Sequence, residues 1–329
     1  MNTNRKYAHA ILWSVIVAVV LYLVLALVVD APAVLSAFSR LSGLTWCLIL
    51  SLSLTNYVFR FVRWQVYLVQ LGYRIPVGLS GAYYLSGFAF TTTPGKVGEA
   101  MRSLFLKRHG MGYVDSISAF FSERFVDVVS MLLLALAATQ VFTETRWPIL
   151  ILFMIVLFCL PLIHNSRLHT FLISKLDNFK AGKLKQLISH ALQLMKSSSL
   201  LLKPISLLRG LLLGVLAWGS EGIAFYLIAD QLGIQLSLLL AVSIYAVSSL
   251  IGAISFLPGG LGGVEAAMAT LLILTGASPV NAVAVTMICR VTTLWFAVTL
   301  GLGMLLWVES HNKGRQDERN INKREPGKQ

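Results

Sequence analysis

Eight ionisable side chains sit inside stretches otherwise apolar enough for a membrane interior: Glu99, Arg102, Glu123, Arg124, Asp127, Glu221, Glu265 and Arg290. A charge at bilayer depth costs about 2.5–3.5 kcal/mol on insertion scales, so each must be paired or used. Two of them follow breaks in apolar runs. Glu99 closes "TTTPGKVGEA" behind Pro94 and Gly95, and Glu265 closes "FLPGGLGGVEA" behind Pro258, Gly259 and Gly260. Each break places a glutamate in the first turn of a half-helix. There it can complement the macrodipole with no ligand at all. Alternatively, the free N–H groups of the half-helix hold a phosphate while the carboxylate takes a proton, a cation or a cationic headgroup.

Arg124 and Arg290 admit two readings. Each pairs with the glutamate upstream and fixes a hairpin to the next span, or each offers its guanidinium fork to a lipid phosphodiester. In "SERFVDVV", Glu123 and Asp127 share one helical face at i, i+4. They would neutralise neighbouring arginines, with acid–base or proton-relay work as the alternative. Arg60, Arg63 and Trp64, at the inner end of a span, read as snorkelling anchors or as a headgroup's point of access.

The elements that must position these groups follow from composition. The 329 residues are 57% hydrophobic and 12% charged, against about 25% charged in a soluble domain. Apolar runs at about 10–29, 41–59, 114–141, 147–163, 205–229 and 279–308 approach spanning length. The first exceeds a signal-peptide core and is expected to stay as an uncleaved span. The formal charge of +13 does not imply nucleic acid, because the basic residues cluster between apolar runs. With the N-terminus inside, 22 of the 27 Lys and Arg fall on the inner side, including residues 60–74 and 96–108. Both termini are then cytoplasmic, in the inner (plasma) membrane, and the basic inner face suits anionic lipid.

This topology makes the two broken stretches, 78–106 and 237–276, re-entrant hairpins. The first enters from inside and the second from outside, with irregular tips at membrane depth. Residues 164–203 alternate Leu168, Leu172, Leu176, Phe179, Leu184, Leu187, Ile188 and Leu192 with basic and polar residues, an amphipathic segment for the inner surface. The polar tail 311–329 reads as disordered. Cys47, Cys159 and Cys289 are isolated in apolar runs and suit neither disulfides nor zinc. No nucleophile elbow, Walker loop or metal spacing is present, so no enzyme, cofactor or metal is expected.

A shift of 166 residues lays Glu99 on Glu265, Gly110 on Gly276 and Arg124 on Arg290, and also 41–59 on 207–225, Phe59 on Phe225 and Phe90 on Phe256. The fold expected is therefore an all-α polytopic membrane protein, one transmembrane domain over 1–310. It would have about six full spans and two re-entrant hairpins in an inverted-topology repeat (about 41–142 and 205–308), as in many secondary transporters.

"TTTPGKVGEAMRSLFLKRHG", "SERFVDVV", "FLPGGLGGVEAA" and "CRVTTLWFAV" together resemble the lysylphosphatidylglycerol synthase transmembrane-region family, also called flippase-like proteins. The likeness covers about residues 10–308. It implies lipid movement between leaflets, with Pro94, Gly95, Glu99, Arg124, Pro258, Gly259, Gly260, Glu265 and Arg290 as functional positions. The sequence ends at Gln329, so the soluble synthase activity of multidomain members is not expected to carry over. Three functions follow as expectations: a translocator of a phospholipid or an isoprenoid-linked lipid, a membrane-embedded glycosyl- or headgroup-transferase, or an accessory subunit of an envelope-lipid pathway. The partners expected are anionic or polyprenyl-linked membrane lipids, with a second copy or a lipid-synthesis enzyme possible.

Overall fold

The computed structural model describes residues 31–93, 101–165, 182–255 and 257–324, with Phe171 and Ser174. The first expected span, 10–29, and the break residues Pro94, Gly95 and Glu99 lie outside these, as do Leu168, Leu172, Leu176 and Phe179. All regular structure described is helical: α1 (Ala31–Arg40), α2 (Gly43–Gln70), α3 (Val77–Ser86), α4 (Arg102–Leu106), α5 (Tyr113–Ala135), α6 (Arg146–His164), α7 (Lys183–Leu201), α8 (Pro204–Gln231), α9 (Leu238–Ile254), α10 (Gly263–Leu274), α11 (Pro279–Arg290) and α12 (Phe296–Arg324). A 3-10 turn, Gly87–Phe90, continues α3, and a π stretch, Val291–Trp295, joins α11 to α12.

Four helical stretches are long and apolar enough to cross a bilayer: Gly43–Gln70, Thr143–His164, Pro204–Gln231 and Pro279–His311. The molecule is a polytopic membrane protein. Helix α5 has the length but carries Asp115, Glu123, Arg124 and Asp127. Helix α2 explains how such charges are tolerated. Ser42 caps it by accepting the Thr45 N–H at 3.1 Å. Its outward face is Leu44, Leu48, Leu54, Val58 and Val62, all exposed, while Ser53, Asn56, Arg60 and Arg63 are buried. Apolar outside and polar inside is the order a lipid solvent imposes.

This placement corrects the charge count. Arg60, Arg63 and Arg102 belong to no inner loop; all three are buried in helices. Snorkelling is thereby ruled out for Arg60 and Arg63, since a snorkelling head reaches water. Helix α7 is packed along α5 and α6, with Leu192, Ser198 and Leu201 buried. The segment after Ser310, expected to lack structure, continues α12 as helix to Arg324.

The two halves repeat the same element order, but not at one offset. Helices α2 and α8 both have 28 residues, and both end in Gln-Leu-Gly with a left-handed glycine, Gly72 at φ 88° and Gly233 at φ 77°. Their ends, and the starts of α3 and α9, lie 161 residues apart. Downstream, the left-handed Gly110 and Gly276 and the starts of α5 and α11 lie 166 apart. Five extra residues therefore sit in the second hairpin. The sequence match at 166 is correct only after the breaks; 41–59 does not lie on 207–225, nor Phe59 on Phe225, nor Phe90 on Phe256. At 161, Asn56 falls on Ala217, and these two residues meet where α2 crosses α8: the Asn56 amide donates to the Ala217 carbonyl at 2.9 Å. Each half's closing helix packs on the other half's hairpin, α5 on α9 and α12 on α3.

Candidate functional site

A cavity of about 260 Å³ lies where the halves meet. Eight of its lining residues come from the first half, and every one has its counterpart on the lining too. At 161 residues the pairs are Tyr57 and Trp218, Arg60 and Glu221, Phe88 and Ser249, Thr91 and Gly252; at 166 they are Arg124 and Arg290, Asp127 and Thr293, Val128 and Leu294, Met131 and Ala297. Sixteen of the 22 lining residues are thus one set of positions used twice. Tyr245 also lines it, from the second hairpin.

The turn Pro258–Gly260 meets Thr92 beside it. Gly259 has a left-handed φ of 63°. A Cβ there would stand 3.4 Å from the Thr92 Cα and 3.6 Å from Leu294, so a side chain would crowd both neighbours. Glycine answers the conformation and the close approach together.

Charge in the cavity is asymmetric. Three guanidiniums face it (Arg60, Arg124, Arg290) and two carboxylates (Asp127, Glu221). Arg60 stacks between aromatic walls, its guanidinium carbon 5.5 Å from the Phe88 ring centre and 5.3 Å from that of Trp218. Asp127 takes Arg63 Nη2 at 2.5 Å, Arg124 Nη2 at 2.9 Å and Trp218 Nε1 at 3.0 Å. Arg63 stands behind Asp127, off the lining, and acts through it.

Arg290 fixes the second tip. Its Nε donates to Glu265 Oε1 at 2.7 Å and its Nη2 to the Gly259 carbonyl at 2.8 Å. The other Glu265 oxygen accepts the Gly262 N–H at 2.8 Å, closing the first turn of α10. Glu265 therefore serves its own helix terminus and the staple, and it is Arg290 that reaches the cavity. Pro258 opens the turn Pro258–Gly260 but is not on the lining, whereas Gly259 and Gly260 are.

Arg102 and Glu123 are not brought to the cavity. They form a buried ion pair with each other, and Arg102 lies 3.8 Å above the Trp64 ring. Sequence reading passed over Tyr57, Thr91, Trp218 and Tyr245, and left Glu221 without a role. The signal for Tyr57 and Trp218 was present: at 161 residues they align, both aromatic, one turn before Arg60 and Glu221.

The arrangement can hold a small anionic group between guanidiniums, with aromatic and aliphatic walls. Its volume is below the ~300–1,000 Å³ of pockets that enclose drug-sized ligands, which suits a group of a few heavy atoms. Among the described residues, no group of His, Cys, Asp and Glu could hold a metal ion.

Comparison with known proteins finds membrane proteins as relatives. The chain is 28% identical over 234 residues to a UPF0104 membrane protein of Methanocaldococcus jannaschii, covering 68% of this chain and 94% of that one. It is 24% identical over 267 residues to one of Pyrococcus horikoshii, covering 73% and 80% respectively. A shorter match, 33% identical over 99 residues, is to a UPF0104 membrane protein of Methanothermobacter thermautotrophicus; it covers 30% of this chain and only 29% of that relative's length. The family described as "Lysylphosphatidylglycerol synthase TM region" matches residues 11–301, both halves and the cavity between them, and the chain belongs to that family.

Proposed function

We propose that the protein moves a phosphate-bearing lipid, a phospholipid or an isoprenoid-linked lipid, between the leaflets of the inner membrane, with both termini cytoplasmic. The observation that carries this reading is the cavity lined by equivalent positions of both halves, with Arg60, Arg124 and Arg290 facing it. Guanidinium binds phosphate oxygens through paired donors, and a site shared by two like halves suits access from either side in turn.

The hairpin dimensions favour re-entry. Helix α9 has 17 residues and α10 has 12, roughly 26 and 18 Å at the helical rise, short of the ~30 Å hydrocarbon core. Hairpins entering from opposite faces, with Gly259 against Thr92, make the repeat inverted. The lipid phosphate then sits between the tips while its tails stay in the bilayer. The protein acts by binding and rocking, with no bond made or broken. Its partners are the lipids themselves, with a second copy or a lipid-synthesis enzyme as a protein partner.

The test is reconstitution into liposomes with leaflet-labelled phosphatidylglycerol or a polyprenyl phosphate. Arg124→Gln and Arg60→Gln should stop movement while the protein remains folded. Wild-type rates in both variants would remove the site from the mechanism. Turnover of a donor substrate by the purified protein would instead favour the transferase.

A further inference from the structure

The cavity is not closed all round. Among the described residues that line it, six are exposed or half-exposed: Arg124 and Val128 on α5, Ser249 and Ala253 on α9, and Leu257 and Gly260 just beyond α9. The lining residues from α2, α8, α10, α11 and α12 are all buried. The mouth therefore lies between α5 and α9. One end of this slot is shut, where the Ser243 hydroxyl donates to the Leu134 carbonyl at 2.7 Å. From that bond the lining runs back along α5 and forward along α9. Arg124 is ten residues before Leu134, and Ala253 is ten after Ser243, about 15 Å along either helix. Arg124 is also eleven residues past Tyr113 in a helix of 23, so the mouth opens halfway along α5.

The surface around the mouth is apolar. Leu257 is 45% exposed, and the exposed residues beside the slot include Phe121 on α5 and Ile251 and Ile254 on α9. Helix α9 carries no charged residue. In a polytopic membrane protein, such a surface at mid-helix faces hydrocarbon, and charge is kept inside. The guanidiniums follow that order. The Arg124 side chain is 21% exposed and that of Arg290 9%, so Arg124 stands at the mouth and Arg290 within.

This opening is not a looseness shared by both halves. The positions equivalent to Arg124, Val128, Ser249 and Ala253 are Arg290, Leu294, Phe88 and Thr92, and all four are buried. That seam is shut by α12, which lies so near the turn Gly87–Phe90 that a Cβ at Gly301 would overlap the Ala89 nitrogen. One of two equivalent seams is open and its counterpart is closed. Volume supplies the last step. A cavity of about 260 Å³ takes a group of a few heavy atoms, and the hydrocarbon chain of a lipid has many more. A lipid whose phosphate rests among Arg60, Arg124 and Arg290 must send its chain out through the mouth.

We propose that the hydrocarbon chain of the bound lipid passes into the bilayer between α5 and α9, and that Ala253, a small residue on the rim, sets how much chain bulk passes. The proposal rests on the reading of the cavity as a lipid-phosphate site. It adds the path of the chain and a specificity-determining position.

Photolabelling tests the path in the wild-type protein. The probe is a phosphatidylglycerol with a diazirine in its acyl chains close to the glycerol, in liposomes of phosphatidylcholine. Labelled residues are located by mass spectrometry. Val128, Ala253 and Leu257 should be labelled above the exposed face of α6 (Ile151, Met154, Ile155 and Phe158), which reports lipid around the protein at large. Arg124→Gln should bring the mouth down to that level. Labelling of the mouth no higher than α6, or unchanged in Arg124→Gln, overturns the proposal.

Ala253→Trp tests the specificity, and because Ala253 is exposed the change leaves the core intact. Binding to the detergent-purified protein is compared for two-chain phosphatidylglycerol and its one-chain lyso form. The tryptophan should weaken the two-chain lipid by about tenfold more than the one-chain lipid, the size of one overpacked contact. A wild-type ratio in the variant overturns the role of Ala253. Water-soluble glycerophosphoglycerol, as competitor, separates a lipid site from a free-phosphodiester site: displacement only at far higher concentration supports the lipid, and equal potency overturns it.

Movement of the same probe between leaflets keeps the two readings apart. Arg124-dependent label at the mouth without movement sustains the chain path and sinks the translocator. Movement with the Arg124-dependent label on another face sinks the path alone. Absence of Arg124-dependent label on every face sinks both.

Discussion

The Tyr57 hydroxyl donates to the Thr293 carbonyl at 2.8 Å, and that carbonyl lies inside the π stretch Val291–Trp295. Both residues line the cavity. A π turn shifts the main-chain hydrogen-bond ladder by one residue and often marks a working site in a helix. Here it directly follows Arg290, so the side chain that staples the second tip and the carbonyl that holds the first half's tyrosine lie within one turn. Tyr57→Phe should cost about 1 kcal/mol of stability, a typical net hydrogen bond, seen as a lowered Tm in detergent. It should also slow lipid movement by more than that loss of folded protein explains. An unchanged Tm and rate would show that the bond does not hold the π stretch.

Much of this site was readable in the sequence, and the unread part has a physical cause. The apolar runs marked the described spans because lipid solvent leaves little choice of residue. The clustered glycines and proline of the second break marked the turn between α9 and α10. The equal spacing of Glu99 to Arg124 and Glu265 to Arg290 pointed to the staple seen at Arg290. Arg60 and Arg63 were misplaced because a basic, aromatic stretch after an apolar run resembles an inner-surface anchor. Only the exposed Val58, Val62 and Val69 on the other face of α2 hinted that the helix continues. What buries those arginines is Asp127 and the aromatic rings of other helices, and tertiary contacts leave no local pattern. The five-residue offset was hidden because the halves diverge in charge where they align, Arg60 against Glu221.

Breaking the pair between Arg102 and Glu123 should destabilise without touching the cavity. Glu123 is fully buried and Arg102 nearly so. Removing one partner of such a pair costs about 3–5 kcal/mol because the other charge stays buried, while replacing both with apolar residues is often neutral. Glu123→Gln should lower Tm strongly, and Arg102→Met with Glu123→Met should recover most of the loss. Lipid movement per folded molecule should remain near wild type in the double variant. Loss of movement in that folded double variant would return the pair to the transport machinery.

Two glycines in α12 separate packing from helix propensity. A Cβ at Gly301 would overlap the main chain of Ala89 and Phe88, whereas Gly303 has open space around it. Gly301→Ala must push α12 off the turn Gly87–Phe90, whose Phe88 lines the cavity. It should destabilise by about 1–3 kcal/mol, as overpacking does. Gly303→Ala should be neutral, or stabilise by roughly 0.5–1 kcal/mol through propensity. Thermal unfolding of the two variants side by side checks this; equal effects would mean the close approach of α12 to the turn is relaxed at no cost.

Outside the spans, Tyr73 donates to Asp115 Oδ2 at 2.7 Å, and Ser197 donates to the other oxygen at 3.1 Å. The hydrogen bond to Asp115 raises the Tyr73 phenol above its ordinary value. A raised folded-state pKa contributes stability that is fully present below the unfolded value near 10. That contribution is lost as pH rises through the higher folded value. Tyr73→Phe should therefore lower stability slightly at neutral pH and remove part of the alkaline decline. A decline of the same size in the variant would assign it to other groups.

Arg290 bridges two acceptors with two different nitrogens of its guanidinium. Its Nε holds the Glu265 carboxylate and its Nη2 the Gly259 carbonyl, using two positions of one rigid fork. Arg290→Lys keeps the charge and the pull on an arriving phosphate but loses the fork, so one of the two acceptors is released. If the staple matters as well as the charge, the tip at Gly259–Gly263 should exchange its amide hydrogens faster in the lysine variant. Lipid movement should fall well below wild type although phosphatidylglycerol binding persists. Arg290→Gln, which removes charge and fork together, should lose both binding and movement. A lysine variant with wild-type movement and an unaltered tip would reduce Arg290 to its charge alone.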